Sequence, residues 1–212
     1  MIGENVDPTL ASRSLVEVLV DVIKVQGEKV KPLAVAFYGE SGSGKSVTAK
    51  ALSLGLQEQG YGVVRLQMDD YFFLPPQQNS QEREKDLSRV GPLEVDLATL
   101  DQHIRELKAG ANQIQHPIID FKQSTRVVET LSVPTPLDFI VVEGTYVNYL
   151  KEVDVRVFLE RTYEETHIHR VARMREPDSE LLREVLKIEH RIVQHNRHQA
   201  DHIISKDFQL LQ

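Results

Sequence analysis

The chain has 212 residues, no cysteine and a formal net charge of −7. Such a length suits one domain, the absence of cysteine excludes a disulfide framework and a thiolate metal site, and the acidic balance argues against nucleic-acid binding, which needs basic surface. Hydrophobic residues make up 41%, with no apolar run near the roughly 20 residues that span a bilayer and no basic-then-apolar leader in Met1–Pro8, so the expectation is a cytoplasmic enzyme without a membrane partner.

Asp7-Pro8 reads as a helix start, and Leu15, Val18, Leu19, Val22 and Ile23 recur at helical spacing up to Gly27. Leu33–Tyr38 is a short apolar strand that runs straight into Gly39. A helix is expected from about Lys45 to Gln59, then a strand over Val63–Met68 that ends in Asp69 and Asp70. The stretch Phe73–Gly91 is polar, contains Pro75-Pro76 and reads as a loop or insertion. Leu97, Leu100, Ile104 and Leu107 define an amphipathic helix with Gly110 just past its end. His116–Leu131 alternates as a small hairpin would, and Asp138–Val142 is a buried strand closed by Glu143-Gly144. Val155–Leu159 is another strand, Thr162 and Glu165 have capping-box spacing, a long helix covers about Ser179 to Gln199, and His202–Ser205 is a last strand. Short apolar strands alternating with helices imply parallel β-α-β units covered on both faces.

Gly39-Glu-Ser41-Gly42-Ser43-Gly44-Lys45-Ser46 fits G-x-x-x-x-G-K-[ST] at every fixed position, after a strand and at the start of a helix. Glycines let the backbone curl so that N–H groups point at phosphate oxygens, and the following helix turns its positive end, from Lys45 to Val47, toward them. Lys45 supplies a point charge for the β- and γ-phosphates, and the Ser46 hydroxyl can ligate Mg²⁺. The ligands expected are therefore ATP and Mg²⁺.

A carboxylate at the end of an apolar strand, Glu143, reads as a second Mg²⁺ ligand, because ligands of open α/β sheets sit beyond the carboxyl ends of the strands. Asp69 and Asp70 end the second strand; alternation sends adjacent side chains to opposite sides. The one that faces the cleft can take the proton of an attacking hydroxyl and help hold the metal, and the alternative for both is a solvated acidic turn. Arg170, Arg173 and Arg175 lie on or just after one helix before Pro177. They either neutralise phosphate charge or form a solvated helix face. His195, His198 and His202 have no carboxylate or cysteine partner at zinc-site spacing and read as a polar face.

With these pieces in order, the chain resembles the uridine kinase and phosphoribulokinase family of P-loop kinases from about Leu33 to Phe208. Met68-Asp69-Asp70-Tyr71-Phe72 is similar to that family's Asp-Ser-Phe-Tyr segment, which implies Asp69 as catalytic base. Pro117–Lys122 with Arg126 resembles its Pro-x-Tyr-Asp-Phe stretch, and this implies acceptor roles for Asp120 and Arg126. Glu143-Gly144 followed by Tyr149, and Ala200–Ile204, resemble two further family stretches. The same resemblance puts Asp96 where uridine kinases hold the ribose hydroxyls, beside its alternative reading as a helix N-cap, and puts Arg170, Arg173 and Arg175 in the lid. The chain departs from the family at Ile119, where uridine kinases have Tyr, and at Ser124, where they have His. Arg89–Pro92 replaces a Phe-Asp-His-Pro stretch, and Glu189 replaces a Gln.

The fold expected is α/β, a kinase-type P-loop three-layer sandwich with a central parallel sheet, helices on both faces and a small lid and hairpin region. One domain would fill residues 1–212, with an N-terminal helix within 1–30, an acceptor-binding insertion and hairpin over 73–131 and a lid over 173–179. The function expected is transfer of the γ-phosphoryl group to a small-molecule hydroxyl at an altered acceptor site. In this reading Lys45, Asp69, Arg170 and Arg173 carry the chemistry. A sugar or sugar-phosphate kinase and a non-kinase P-loop ATPase or regulator are the alternatives. No Asn-Lys-x-Asp or Leu-Ser-Gly-Gly-Gln motif is present to favour a GTPase or an ABC-type ATPase. Whether the chain forms a homo-oligomer is not decided by the sequence.

Overall fold

The computed structural model describes residues 17, 19–21, 23–25, 31–120, 123–167 and 179–211. Seven strands are present among them: β1 (Leu33–Gly39), β2 (Val63–Gln67), β3 (Gln113–Asp120), β4 (Thr125–Ser132), β5 (Phe139–Glu143), β6 (Val155–Leu159) and β7 (His202–Ile204). Five of them form one parallel sheet in the order β2-β5-β1-β6-β7, and β3 and β4 form a separate antiparallel hairpin. Among the helices are α1 (Lys45–Glu58), α2 (Pro76–Lys85), α3 (Leu97–Lys108) and α4 (Glu180–His195).

The central strands β1 and β5 are short, almost unbroken apolar runs because both faces of the sheet are covered. Leu33, Val35 and Phe37 of β1 join one core cluster with Val141 of β5, and Ala34, Ala36 and Tyr38 join the other with Ile140 and Val142. The first cluster is closed by Ala49, Leu52 and Leu56 of α1 and by Leu19, Val20 and Ile23 of the N-terminal helical residues. Leu100, Ile104 and Leu107 of α3, Ile114 of the hairpin and Val193 of α4 close the second. The result is the three-layer sandwich expected, with the strands of the parallel sheet within a residue of the expected bounds and the hairpin starting three residues earlier, at Gln113. No helix among the described residues is long and apolar enough to cross a membrane.

One segment differs from the sequence reading. Within Phe73–Gly91, read as a loop, Pro76–Lys85 is helical. Pro76 stands at the first turn, where its missing N–H costs nothing, and the residues after it are mostly good helix formers. There is no apolar stripe to give the helix away. It is held by charge: Arg83 donates to both oxygens of Glu94 at 2.6 and 2.8 Å.

Ile104 is fully buried and Leu93 is 90% exposed. Ile104→Ala is expected to cost about 2–5 kcal/mol in urea unfolding, and Leu93→Ala to stay within about 0.5 kcal/mol of wild type.

Candidate active site

Between β1 and α1 the chain turns through the glycine-rich loop. Gly44 sits at φ +102°, a left-handed backbone that a side chain would strain. The N-terminal end of α1 has no side-chain cap and no acidic residue in its first turn, so its N–H groups and positive end are left for an anion. Lys45 is buried, and its ammonium donates to the Glu40 carbonyl at 2.8 Å, while the Ser43 N–H donates to the same oxygen at 3.1 Å. Ser41, Gly42, Ser46 and Val47 are half-buried around the turn.

Parallel register carries the rest of the site to the same edge. Phe37 of β1 and Gln67 of β2 both stand level with Glu143, the last residue of β5. The next residue, Gly144, lies so close to β2's continuation that a Cβ there would come 2.2 Å from the Met68 Cβ. Glu143 is buried, and burial, with the nearby Asp69 charge added, pushes its carboxyl up to about 7. The Lys45 charge and a hydrogen bond from the Ser46 hydroxyl pull the other way.

The adjacent aspartates have different surroundings. Asp69 is half-buried and acts electrostatically on Glu143. Asp70 is 2% exposed and accepts the Ile119 N–H of β3 at 3.1 Å, and burial raises its pKa. Alternation did not apply to this pair, because Met68–Tyr71 is a 3₁₀ turn rather than strand.

Ser46, Asp69 and Glu143 form an all-oxygen donor set in which two carboxylates repel one another, which fits a hard dication. Among the described residues no cluster of three or more His, Cys, Asp or Glu could hold a metal by itself.

Elsewhere the expected residues are engaged locally. Asp96 caps α3, accepting the Thr99 N–H at 3.0 Å and the Thr99 hydroxyl at 2.8 Å. Asp120 accepts the Gln123 N–H at 3.1 Å in the hairpin turn, and Arg126 is exposed, across the hairpin from Ile119. Ile119 is 2% exposed, and the Ser124 hydroxyl accepts the Gln77 N–H at 3.3 Å. The lid arginines Arg170, Arg173 and Arg175, and the rest of the expected lid through Asp178, lie outside the described residues. His195 and His198 contact each other, and His198 Nδ1 bonds the His195 carbonyl at 2.8 Å.

Three polar arrangements were missed by the sequence reading. Glu40, inside the loop motif, is 1% exposed and hydrogen bonded to α4. Arg83 bridges Glu94 and, at 3.8 Å, Glu189, with the buried Tyr146 hydroxyl unpartnered beside them. Burial works against the Arg83 charge, and the two glutamates outweigh it. The Tyr71 hydroxyl bonds His103 Nδ1 at 2.9 Å, and burial holds the neighbouring His116 down at about 4, so that ring is neutral. A cavity of about 430 Å³ opens between residues 87–90 and α4, lined by Leu87, Ser88, Val90, Ile188, Arg191 and Ile192.

A glycine-rich loop that joins the central strand of a parallel sheet to a helix, with the sheet ordered β2-β5-β1-β6-β7, defines a kinase-type P-loop protein. Residues 34–177 match the Phosphoribulokinase / Uridine kinase family, and the chain belongs to that family of kinases. A uridine kinase from Alkaliphilus metalliredigens (strain QYMF) is 29% identical over 161 residues, 74% of this chain and 75% of that protein. Among solved structures, one described as a possible uridine kinase from Bacillus stearothermophilus matches with a TM-score of 0.60 at 24% identity, over 90% of this chain and 97% of that one. D-glycerate 3-kinase from Cryptococcus neoformans var. grubii serotype A matches with a TM-score of 0.66 at 15% identity, over 93% and 98%. At such identities the two structures speak for the fold alone.

Because the Glu143 pKa is raised in the folded protein, the native state holds an extra proton between the ordinary glutamate value and about 7, and stability falls as pH rises through that window. Asp69→Asn removes a repelling charge. The ligand-free variant is therefore expected to melt above wild type at pH 8, by about 2–4 °C for each kcal/mol relieved. The gap should narrow toward pH 5, where a Glu143 carboxyl with a raised pKa carries less charge for Asp69 to repel. A difference that does not change with pH would contradict this account of Glu143.

Proposed function

We propose that this chain transfers the γ-phosphoryl group of ATP to a hydroxyl of a small molecule other than uridine. The observation that carries the reading is the meeting of Lys45, Ser46, Asp69 and Glu143 at one edge of the sheet, around the shifted Glu143 carboxyl. The uncapped end of α1 and the curled loop would hold the phosphates, with Lys45 swinging from the Glu40 carbonyl onto the β- and γ-oxygens. Ser46, Asp69 and Glu143 would hold Mg²⁺, which when bound neutralises charge on the β- and γ-phosphates. Asp69 accepts the proton of the acceptor hydroxyl as its oxygen bonds the γ-phosphorus. The bond from that phosphorus to the β–γ bridging oxygen breaks, and ADP leaves with the electron pair. Arg170, Arg173 and Arg175 would stabilise the transferring charge from a lid over 173–179. One domain, with an acceptor region over 73–131, is the organisation that goes with this reading, as is a cytoplasmic location.

The acceptor side supports a substrate other than uridine. Ile119, in the place of a phenol, is buried and can pack but cannot donate, and the Ser124 hydroxyl is engaged with Gln77. Selectivity for a polar group depends on filled polar contacts. Asp96, Asp120 and Arg126 remain candidates for acceptor contacts.

A coupled ADP-release screen against nucleosides, sugars, sugar phosphates, pantothenate-like alcohols and glycerate tests the reading. Uridine is expected to fall at least about tenfold below the best acceptor in kcat/KM, the effect of losing contacts of about 1 kcal/mol or more each; uridine as the best acceptor would overturn the altered-site reading. With the best acceptor, Lys45→Ala is expected to abolish turnover. Asp69→Asn should keep ATP binding and lose about 10²–10⁴-fold in kcat, whereas Asp70→Asn, which keeps an acceptor for the Ile119 N–H, should lose far less. The reverse order would move the base to Asp70.

A further inference from the structure

Glu40 occupies one of the free positions of the loop motif, yet its side chain is among the most enclosed in the protein, at 1% exposure. A buried carboxylate is costly unless donors surround it, and here three do. Its Oε2 accepts the Tyr163 N–H at 2.7 Å. Its Oε1 accepts the Gln194 Nε2 amide at 2.7 Å and bonds His190 Nδ1 at 2.8 Å. A carboxylate only accepts, so the proton of that last bond sits on Nδ1. The Tyr163 ring packs edge-on against His190 at 5.6 Å, and the Thr166 hydroxyl is 3.1 Å from the carbonyl of Ser41, the next loop residue. The backbone oxygen of Glu40 is meanwhile the resting place of the Lys45 ammonium. One residue thus joins the loop's key cation, through its main chain, to α4 and to the stretch after β6, through its side chain.

We propose that Glu40 is a positioning residue for nucleotide binding: tied to His190 and Gln194 of α4, it fixes the curl of the phosphate loop that ATP requires. The proposal rests on the reading that this loop binds ATP. Preorganisation of this kind is felt as affinity, because a loop already held in its binding curl has less order to lose on binding. A merely structural contact would lower the melting temperature and leave nucleotide affinity where it was.

The test is calorimetric titration with a non-hydrolysable ATP analogue and Mg²⁺, beside melting curves, on the full chain. The variants are Glu40→Gln, Glu40→Ala, His190→Ala, Gln194→Ala and the double variant Glu40→Ala/His190→Ala. Glu40→Gln keeps the shape but puts an amide donor against donors. Glu40→Gln and His190→Ala are each expected to weaken analogue binding about tenfold or more, the scale of one lost hydrogen bond to a charged group. The double variant should be no weaker than Glu40→Ala alone, since the two residues act through one contact. His190 is 37% exposed at its side chain, so its truncation supplies a folded variant even if those at Glu40 fail to fold. Wild-type affinity in the folded His190 and Gln194 variants would overturn the proposal alone. Multiplicative losses in the double variant would do the same. Absence of analogue binding by wild type would overturn the ATP reading and this proposal with it.

Discussion

The parallel register of β1, β5 and β2 is the constraint on which the site depends. Phe37, Glu143 and Gln67 stand level across three adjacent strands. The phosphate loop, the Glu143 carboxylate and the turn that carries Asp69 therefore leave the sheet at one edge. A parallel sheet sends every strand's carboxyl end the same way, so groups far apart in the chain converge without long connections. The absence of a side chain at Gly144 lets the ends of β5 and β2 close to van der Waals contact at Met68.

Charge at this edge is arranged for a ligand that completes it. Lys45 rests on a main-chain oxygen of its own loop, and Glu143 is held well above the ordinary glutamate range by burial and by Asp69. Burial of the Glu143 carboxyl beside Asp69 is a cost in the ligand-free protein that, in the proposed function, a divalent cation would relieve. The neighbouring Asp70 is committed to the main chain of β3 and ties the hairpin to the sheet. Two identical side chains in sequence thereby divide the work, one holding the architecture and the other left beside the buried carboxylate.

The loop, the strands and Glu143 were legible in the sequence because each rests on local pattern: fixed glycine spacing, apolar runs, a carboxylate at a strand end. Strand alternation could not separate Asp69 from Asp70, since the chain enters a 3₁₀ turn there, and only the family resemblance pointed to Asp69. The helix Pro76–Lys85 was hidden by the lack of an apolar stripe, its anchor being an ion pair to Glu94. For Asp96 the sequence allowed a cap or a ligand; the Thr99 contacts supply the cap, and the acceptor contact stays part of the proposed function. Nothing local links Glu40 to His190, 150 positions away, although a charged residue at a free position of a phosphate loop is a signal that could have been followed.

Proton release on nucleotide binding tests the account most directly, because we propose Glu143 as a carboxylate beside the bound metal, and burial with the Asp69 charge raises its pKa in the ligand-free protein. The measurement is the binding enthalpy of an Mg²⁺–ATP analogue at pH 6 in buffers of different ionisation enthalpy, for wild type and for Glu143→Gln. The account predicts that wild type releases more protons than the variant. Equal proton release by the two proteins would contradict it.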